Sequence, residues 1–244
     1  MSAAEELLPS DPSRPPLSSR RFAFWGIALC LYTPLLLVLD RRDLLVQLAL
    51  GASTAAFLLG VAYRSSVGGK QLGVALAIAT AGEIFFSLIW GCYDYRLGTV
   101  PPYVPFGHGV FYVLACETAR RKWFERHEKP IVRAILLCGW IYALFSLAWF
   151  RDAWGFLWWC LLAWFVAVAP TRRVLCACIV YTIALEWLGT SLGNWRWAER
   201  VPYLGIPSGN PPCGVGLGYA VLDFTTLLFT AVLTQRQAIS VSRS

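Results

Sequence analysis

Two glutamates in this chain stand in apolar surroundings and lead into similar loops. Glu83 is followed by Gly91, Tyr93, Tyr95 and the run Pro102-Tyr103-Val104-Pro105-Phe106-Gly107-His108. Glu186 is followed by Gly193, Trp195, Trp197 and the run Pro202-Tyr203-Leu204-Gly205-Ile206-Pro207-Ser208-Gly209-Asn210. A carboxyl group joined to an aromatic, Gly- and Pro-rich loop, written twice, predicts two halves of one fold that build one site between them. A third acid, Asp223, falls midway along the last apolar stretch. Ionisable groups inside apolar spans are costly and by default suggest function. Desolvation disfavours a charged carboxyl unless a cation or several donors meet it, so an acid at such depth could stay protonated and serve as a general acid. Glu83, Glu186 and Asp223 are therefore the candidate catalytic residues; the competing reading is that they only hydrogen-bond neighbouring helices. Glu117 adjoins Arg120, Arg121 and Lys122 and is explained by snorkelling toward them.

Around these acids the candidate substrate-binding residues are Tyr93, Tyr95, Tyr103, His108, Trp195, Trp197, Tyr203 and Asn210. His108 holds the place in the first loop that Asn210 holds in the second, and both can donate a hydrogen bond. Tyr and Trp at such positions would also sit well among lipid headgroups, which accounts for the aromatics alone equally well. The 2 histidines, His108 and His127, cannot form a multi-histidine metal centre, and His127 lies in a basic stretch. There is no GxGxxG, no P-loop and no GxSxG. No metal and no cofactor is expected, and ATP-driven transport and serine hydrolysis recede. What remains is a carboxylic acid in an aromatic pocket. Protonation of an isoprenoid double bond needs those parts: an acid delivers the proton, and Tyr or Trp faces stabilise the carbocation. Water then captures the cation, or an internal double bond closes on it.

The elements that must position these residues follow from hydropathy. The chain is 57% hydrophobic and 14% charged, too apolar to cover a soluble globule. It reads as an all-α integral membrane protein of about eight transmembrane helices, near 22–39, 43–63, 71–92, 104–119, 131–150, 152–170, 173–192 and 213–234, each close to the roughly 20 residues a bilayer requires. At 1.5 Å per residue Glu83 and Glu186 lie roughly 12 and 11 Å from the outer ends of their helices, at similar depth. Four spans per half give parallel repeats related by an axis along the membrane normal, 21–119 and 131–234, with cytoplasmic tails at 1–20 and 235–244. The first tail is Pro-, Ser- and acid-rich and reads as disordered, with no removable signal peptide evident.

Lys and Arg counts set the orientation. Arg14, Arg20, Arg21, Arg64, Lys70, Arg120, Arg121, Lys122, Arg126, Lys129, Arg133, Arg172, Arg173, Arg236 and Arg243 fall on one side, and Arg41, Arg42, Arg96, Arg151, Arg196 and Arg200 on the other. Both termini are thus expected in the cytoplasm of a multi-pass cell-membrane protein, with loops 93–105 and 194–212 outside, as a lid over a shared cavity. The +7 net charge suits flanks facing anionic lipid and implies no nucleic acid. Of the 8 cysteines most lie within spans as small apolar residues; Cys92 and Cys213, at the outer ends of spans three and eight, could pair.

At the two loops the chain resembles the membrane-integral carotenoid hydratases, enzymes related in character to the small-subunit lycopene cyclases. The resemblance is carried by Glu83, Gly91-Cys92-Tyr93-Asp94-Tyr95, Leu97-Gly98 and Val104-Pro105, then by Leu192-Gly193-Asn194-Trp195-Arg196-Trp197, Tyr203-Leu204-Gly205-Ile206-Pro207 and Asn210. It departs at Gly107-His108 and at Pro211-Pro212-Cys213-Gly214, both at the pocket. The resemblance implies a lyase of carotenoid biosynthesis that hydrates an end-group double bond of an isoprenoid lipid, with the membrane as its other partner. Two alternatives stand beside it: a membrane terpene or carotenoid cyclase, and a proton-coupled transporter or lipid-binding protein using the same acids.

Overall fold

The computed structural model describes residues 14–40 and 43–241, with side chains through 233. The expectations for residues 1–13, Arg41, Arg42, Arg243 and the side chain of Arg236 lie outside the described residues. Among the described residues nine α-helices and two short strands follow one another. They are α1 Ser19–Leu39, α2 Leu44–Ala62, α3 Gly69–Glu83, β1 Tyr93–Tyr95, α4 Tyr103–Ala119, α5 Lys122–Arg126, α6 Glu128–Phe150, α7 Ala153–Val168, α8 Arg172–Leu192, β2 Trp195–Trp197 and α9 Gly216–Val241. Each of the eight apolar stretches is helical, and α9 continues past 234 into the segment read as a tail. Among the described residues six helices (α1, α2, α3 with its extension to Ile89, α6, α8 and α9 as far as Leu233) are long and apolar enough to cross a membrane. Their outward faces are hydrocarbon: Leu31, Leu45, Leu59 and Trp149 are each 69% exposed or more. That surface would be costly in water and is what lipid requires.

Helix ends obey local chemistry. Asp43 caps α2 through the Val46 amide, and Asp152 caps α7 through that of Gly155. Directly after Glu83, α3 continues as a π-helical turn, Ile84–Ile89. Gly91 and Gly193, with φ of 74° and 71°, follow the two acid-bearing helices in the left-handed conformation that glycine adopts without a Cβ penalty.

Four helices make the centre. α3 and α8 each pack on α4 and α9, so the acid-bearing helices stand opposite one another with α4 and α9 between them. α4 is shorter than a full span because it is wrapped in protein, and every residue from Gly109 to Ala119 except Phe111 is buried. Gly109 admits the close approach of Leu58 and Leu76, whose methyl carbons would lie 2.9 and 3.0 Å from an added Cβ. α2 covers α4, α7 covers α9 and α8, and α1 leans on α2 and α8.

Over the ends of this bundle lies a two-stranded antiparallel ribbon, with Tyr93 opposite Trp197, Asp94 opposite Arg196 and Tyr95 opposite Trp195. Alternation along each strand sends the aromatic rings inward and Asp94 and Arg196 outward. Opposite charges facing each other across the strands favour this register over a one-residue slip.

Candidate functional site

The inward rings of the ribbon reach the two glutamates. Tyr93 and Tyr95 each donate a hydroxyl hydrogen bond of 2.7 Å to Glu83 Oε2. Trp195 and Trp197 donate their indole N–H groups to Glu186 Oε2 at 2.9 and 3.0 Å. In each case the second oxygen faces one further group: Glu83 Oε1 lies 2.7 Å from His108 Nε2, and Glu186 Oε1 accepts from the Tyr219 hydroxyl at 3.1 Å. The His108 and Tyr219 rings stack with centroids 4.7 Å apart. The two carboxyls are thereby linked by a path of three contacts, carboxyl to ring, ring to ring, and ring to carboxyl.

Both glutamates, His108, Tyr219 and all four ribbon rings line one cavity. The rest of its wall is mostly hydrocarbon, including Leu29, Leu36 and Leu37 of α1 and Phe57 of α2. Glu83 and Glu186 are almost fully buried, at 6% and 4% exposure. Buried carboxyls need partners, and each has three. An indole nitrogen donates and cannot accept, so Glu186 Oε2 is fixed as an acceptor and any proton on this carboxyl resides on Oε1.

Of the other residues singled out by sequence, Tyr103 also lines the cavity, at the start of α4, its hydroxyl donating to Asp40 Oδ2 at 2.9 Å. Asp223 lies one turn along α9 from Tyr219, buried and outside the cavity lining. Tyr203 is 91% exposed and points away from the site. Asn210 is exposed, and its Oδ1 accepts the Trp197 amide at 3.0 Å, holding β2 from outside. The group that answers to His108 in the second half is therefore Tyr219, not Asn210. A sign of this was present in the sequence, since Tyr219 stands four residues before Asp223 and so on the same helix face. Glu117 is fully buried and accepts from the amides of Leu17 and Ser66 and from Arg121, so it ties chain segments together rather than reaching for solvent.

Two further polar anchors were not among the candidate site residues read from the sequence. Asp152 accepts the amides of Gly209 and Cys213, each at 2.7 Å, and so pins the second loop. Asn194 donates to the Leu37 carbonyl and to Asp40 Oδ2, joining α1 to the start of β2. Their signals are weak because Asp and Asn in loops are common turn residues. Cys92 and Cys213 are buried and unpaired. Among the described residues no cluster of three or more His, Cys, Asp or Glu side chains could hold a metal ion. No protein-family model, curated protein or solved structure matches the chain.

Proposed function

We propose that the protein is a multi-pass membrane enzyme that uses acid catalysis on an isoprenoid lipid, in the first place hydration of a carotenoid end-group double bond. The observation that supports this reading best is one apolar, aromatic cavity holding two carboxyls, each with Oε2 occupied by two donors and Oε1 beside a proton-bearing ring. The partners of Glu186 are all neutral, whereas Glu83 faces an imidazole. Unlike surroundings give two like acids different roles. In this scheme Glu186 Oε1 passes its proton to the less substituted carbon of the double bond, which leaves a tertiary cation on the other. The cation forms against the faces of Trp195, Trp197, Tyr93 and Tyr95. Water adds to it, and the proton lost by that water goes to the Glu83–His108 pair. The lipid's tail occupies the hydrocarbon part of the cavity against α1 and α2.

A cyclase would use the same acid and let an internal double bond capture the cation in place of water. A transporter would be served by a polar passage open in turn to either aqueous side, while the cavity wall here is chiefly apolar. The reading further holds that all eight long helices lie at membrane depth as two parallel four-helix repeats in the cell membrane, with both termini cytoplasmic and the ribbon outside. The antiparallel ribbon with Asp94 and Arg196 at its centre supports this, since a twofold axis through that pair exchanges Tyr93 with Trp195 and Tyr95 with Trp197.

Mass spectrometry of lipids from a carotenoid-producing host expressing the chain tests the proposal. Gain of one water by a carotenoid is expected. Ring closure without mass change would turn the reading to cyclisation, and an unchanged lipid profile with the protein inserted would refute acid catalysis on carotenoids.

A further inference from the structure

On the side of α1 and α2 the cavity wall is one side chain thick. α1 lines the cavity with Leu29, Tyr32, Thr33, Leu36 and Leu37, and α2 lines it with Thr54 and Phe57. Tyr32 stands between the two helices. Its ring stacks on Phe57 with centroids 5.0 Å apart, and its hydroxyl lies 2.7 Å from both Ser53 Oγ and Thr54 Oγ1. Thr54 is buried and lines the cavity, whereas Ser53 is exposed on the outer surface of α2. One hydroxyl therefore touches the cavity wall and the outer surface at once.

α1 is anchored on either side of this point. Asp40, directly after its last residue, accepts from Tyr103 and Asn194, and near its start Trp25 fills the space over Gly60 and meets Phe57 edge-on. Midway, the polar tie to α2 amounts to one hydrogen bond. Ser53 and Thr54 both donate their hydroxyl protons to the Leu50 carbonyl, at 2.9 and 2.7 Å. Tyr32 has one proton for two acceptors, so it bonds one of them at a time. Pro34, two residues on, cannot donate to the Cys30 carbonyl and interrupts the ladder of α1 beside Tyr32. The outer face is bare at this level, with Leu31 and Leu35 70% and 57% exposed. A helix held on both sides of an interruption and bare on its outer face bends most easily at that interruption.

We propose that the α1–α2 seam at Tyr32 is the lateral entrance by which a lipid chain passes from the bilayer into the cavity, and that the Tyr32 hydroxyl is its latch. The side chains along this way are aromatic, aliphatic or hydroxyl-bearing, which suits a hydrocarbon chain entering end first. With the seam open, hydrocarbon offers the Tyr32 hydroxyl no other partner, so the latch closes again on α2. The inference deepens the proposed function: it rests on the cavity as the site of an isoprenoid lipid, and not on acid catalysis.

Lycopene serves as the probe, since this achiral, acyclic carotenoid shows circular dichroism in its visible band when a protein holds it in one twisted shape. Hydration of its isolated end bond leaves that band in place. Tyr32 is replaced by p-benzoylphenylalanine, whose ketone extends from the ring toward Ser53 and Thr54. Under ultraviolet light the ketone takes a hydrogen from a neighbouring C–H and the two carbons join, which locks α1 to α2. The full chain in liposomes is irradiated before or after fusion with lycopene liposomes. Protein locked first is expected to stay without induced dichroism, protein locked afterwards to keep it, and unirradiated protein to fill. The same replacement at Trp140, whose ring meets Phe156 of α7 outside the cavity lining, should leave filling unaffected on irradiation. Tyr32→Phe, which removes the latch alone, should fill about fivefold faster, the rate equivalent of one neutral hydrogen bond. Filling of protein locked beforehand overturns the inference, as does equal blockage by the lock at Trp140. If the photoreactive Tyr32 variant does not insert, or does not fill before irradiation, Tyr32→Phe filling at the wild-type rate overturns it instead. A wild type without induced dichroism removes the lipid site and the entrance together. Filling through the seam without hydrated product would keep the entrance and remove the reaction; hydrated product from protein locked beforehand would do the reverse.

Discussion

Glu83 and Glu186 each give one carboxyl oxygen to a pair of ribbon aromatics, but the donors are phenols on one side and indoles on the other. A phenol can donate or accept, whereas an indole N–H only donates. The first half therefore tolerates more than one proton arrangement around its acid, and the second half permits few. The remaining neighbours differ in the same sense: an imidazole that can carry charge beside Glu83, a neutral hydroxyl beside Glu186. Similar backbones thus present two acids of unlike character to one cavity. The most direct way to break this comparison is Glu186→Gln, which keeps shape and most hydrogen bonds while removing the transferable proton. Product formation should fall by about 10²- to 10⁴-fold with insertion unchanged, the usual contribution of a general acid. Glu83→Gln should fall less, because water in the cavity can take up the proton that the pair would have received. Turnover assays on reconstituted protein decide the matter, and the opposite order would exchange the two roles.

The second half also depends on a close approach that its indoles demand. A Cβ on Gly189 would run into the Trp195 ring, one turn beyond Glu186 on α8. Gly189→Ala should therefore force Trp195 off Glu186 Oε2 and cost about 1–3 kcal/mol through overpacking. A lowered Tm together with loss of activity is expected. If Gly189→Ala melts like wild type, the clamp on Glu186 is looser than its geometry implies. On the phenol side the effect should be smaller: Tyr95→Phe removes one of three donors to a carboxylate, which is worth about 1.5–3 kcal/mol locally. Tyr93 and His108 remain to hold Glu83, so Tyr95→Phe should lower activity by far less than Glu83→Gln in the same assay.

How much of this was legible in the sequence follows from which physical signals are local. The helices were readable because hydropathy is a property of each segment, and the pairing of each glutamate with its loop aromatics was readable because the motif occurs twice. Tyr219 was missed because its contacts with Glu186 of α8 and His108 of α4 are set by how α9 packs, and its place one turn before Asp223 was only a faint local sign of them. Asn210 was overvalued for the opposite reason, since its match to His108 in loop position ignored that His108 lies within α4 whereas Asn210 lies in the loop before α9. Asp152 and Asn194 act across the fold, and loop Asp and Asn look alike whether or not they anchor anything.

The two halves also differ by one residue, and the fold shows where it goes. Glu83 reaches its tyrosines at spacings of 10 and 12, while Glu186 reaches its tryptophans at 9 and 11. Strand pairing nonetheless sets Tyr93 and Tyr95 in register with Trp197 and Trp195. The π-helical turn Ile84–Ile89 in the first half has no counterpart in α8, which stays α-helical to Leu192. A π turn holds one more residue than an α turn without advancing the helix by a further step, so it absorbs the extra residue and delivers both rings to Oε2. Deleting one residue from a membrane helix ordinarily rotates everything beyond it by about 100°, given 3.6 residues per turn. Deleting Leu88, which is 52% exposed, should instead let the π turn relax to α geometry and leave Tyr93 and Tyr95 on Glu83. The expected change in Tm and activity is the smallest of this series. The equivalent deletion in α8, of Trp187, should abolish both. Comparable damage from the two deletions would mean that the π turn does not compensate the insertion, and that the two halves reach their common geometry by some other route.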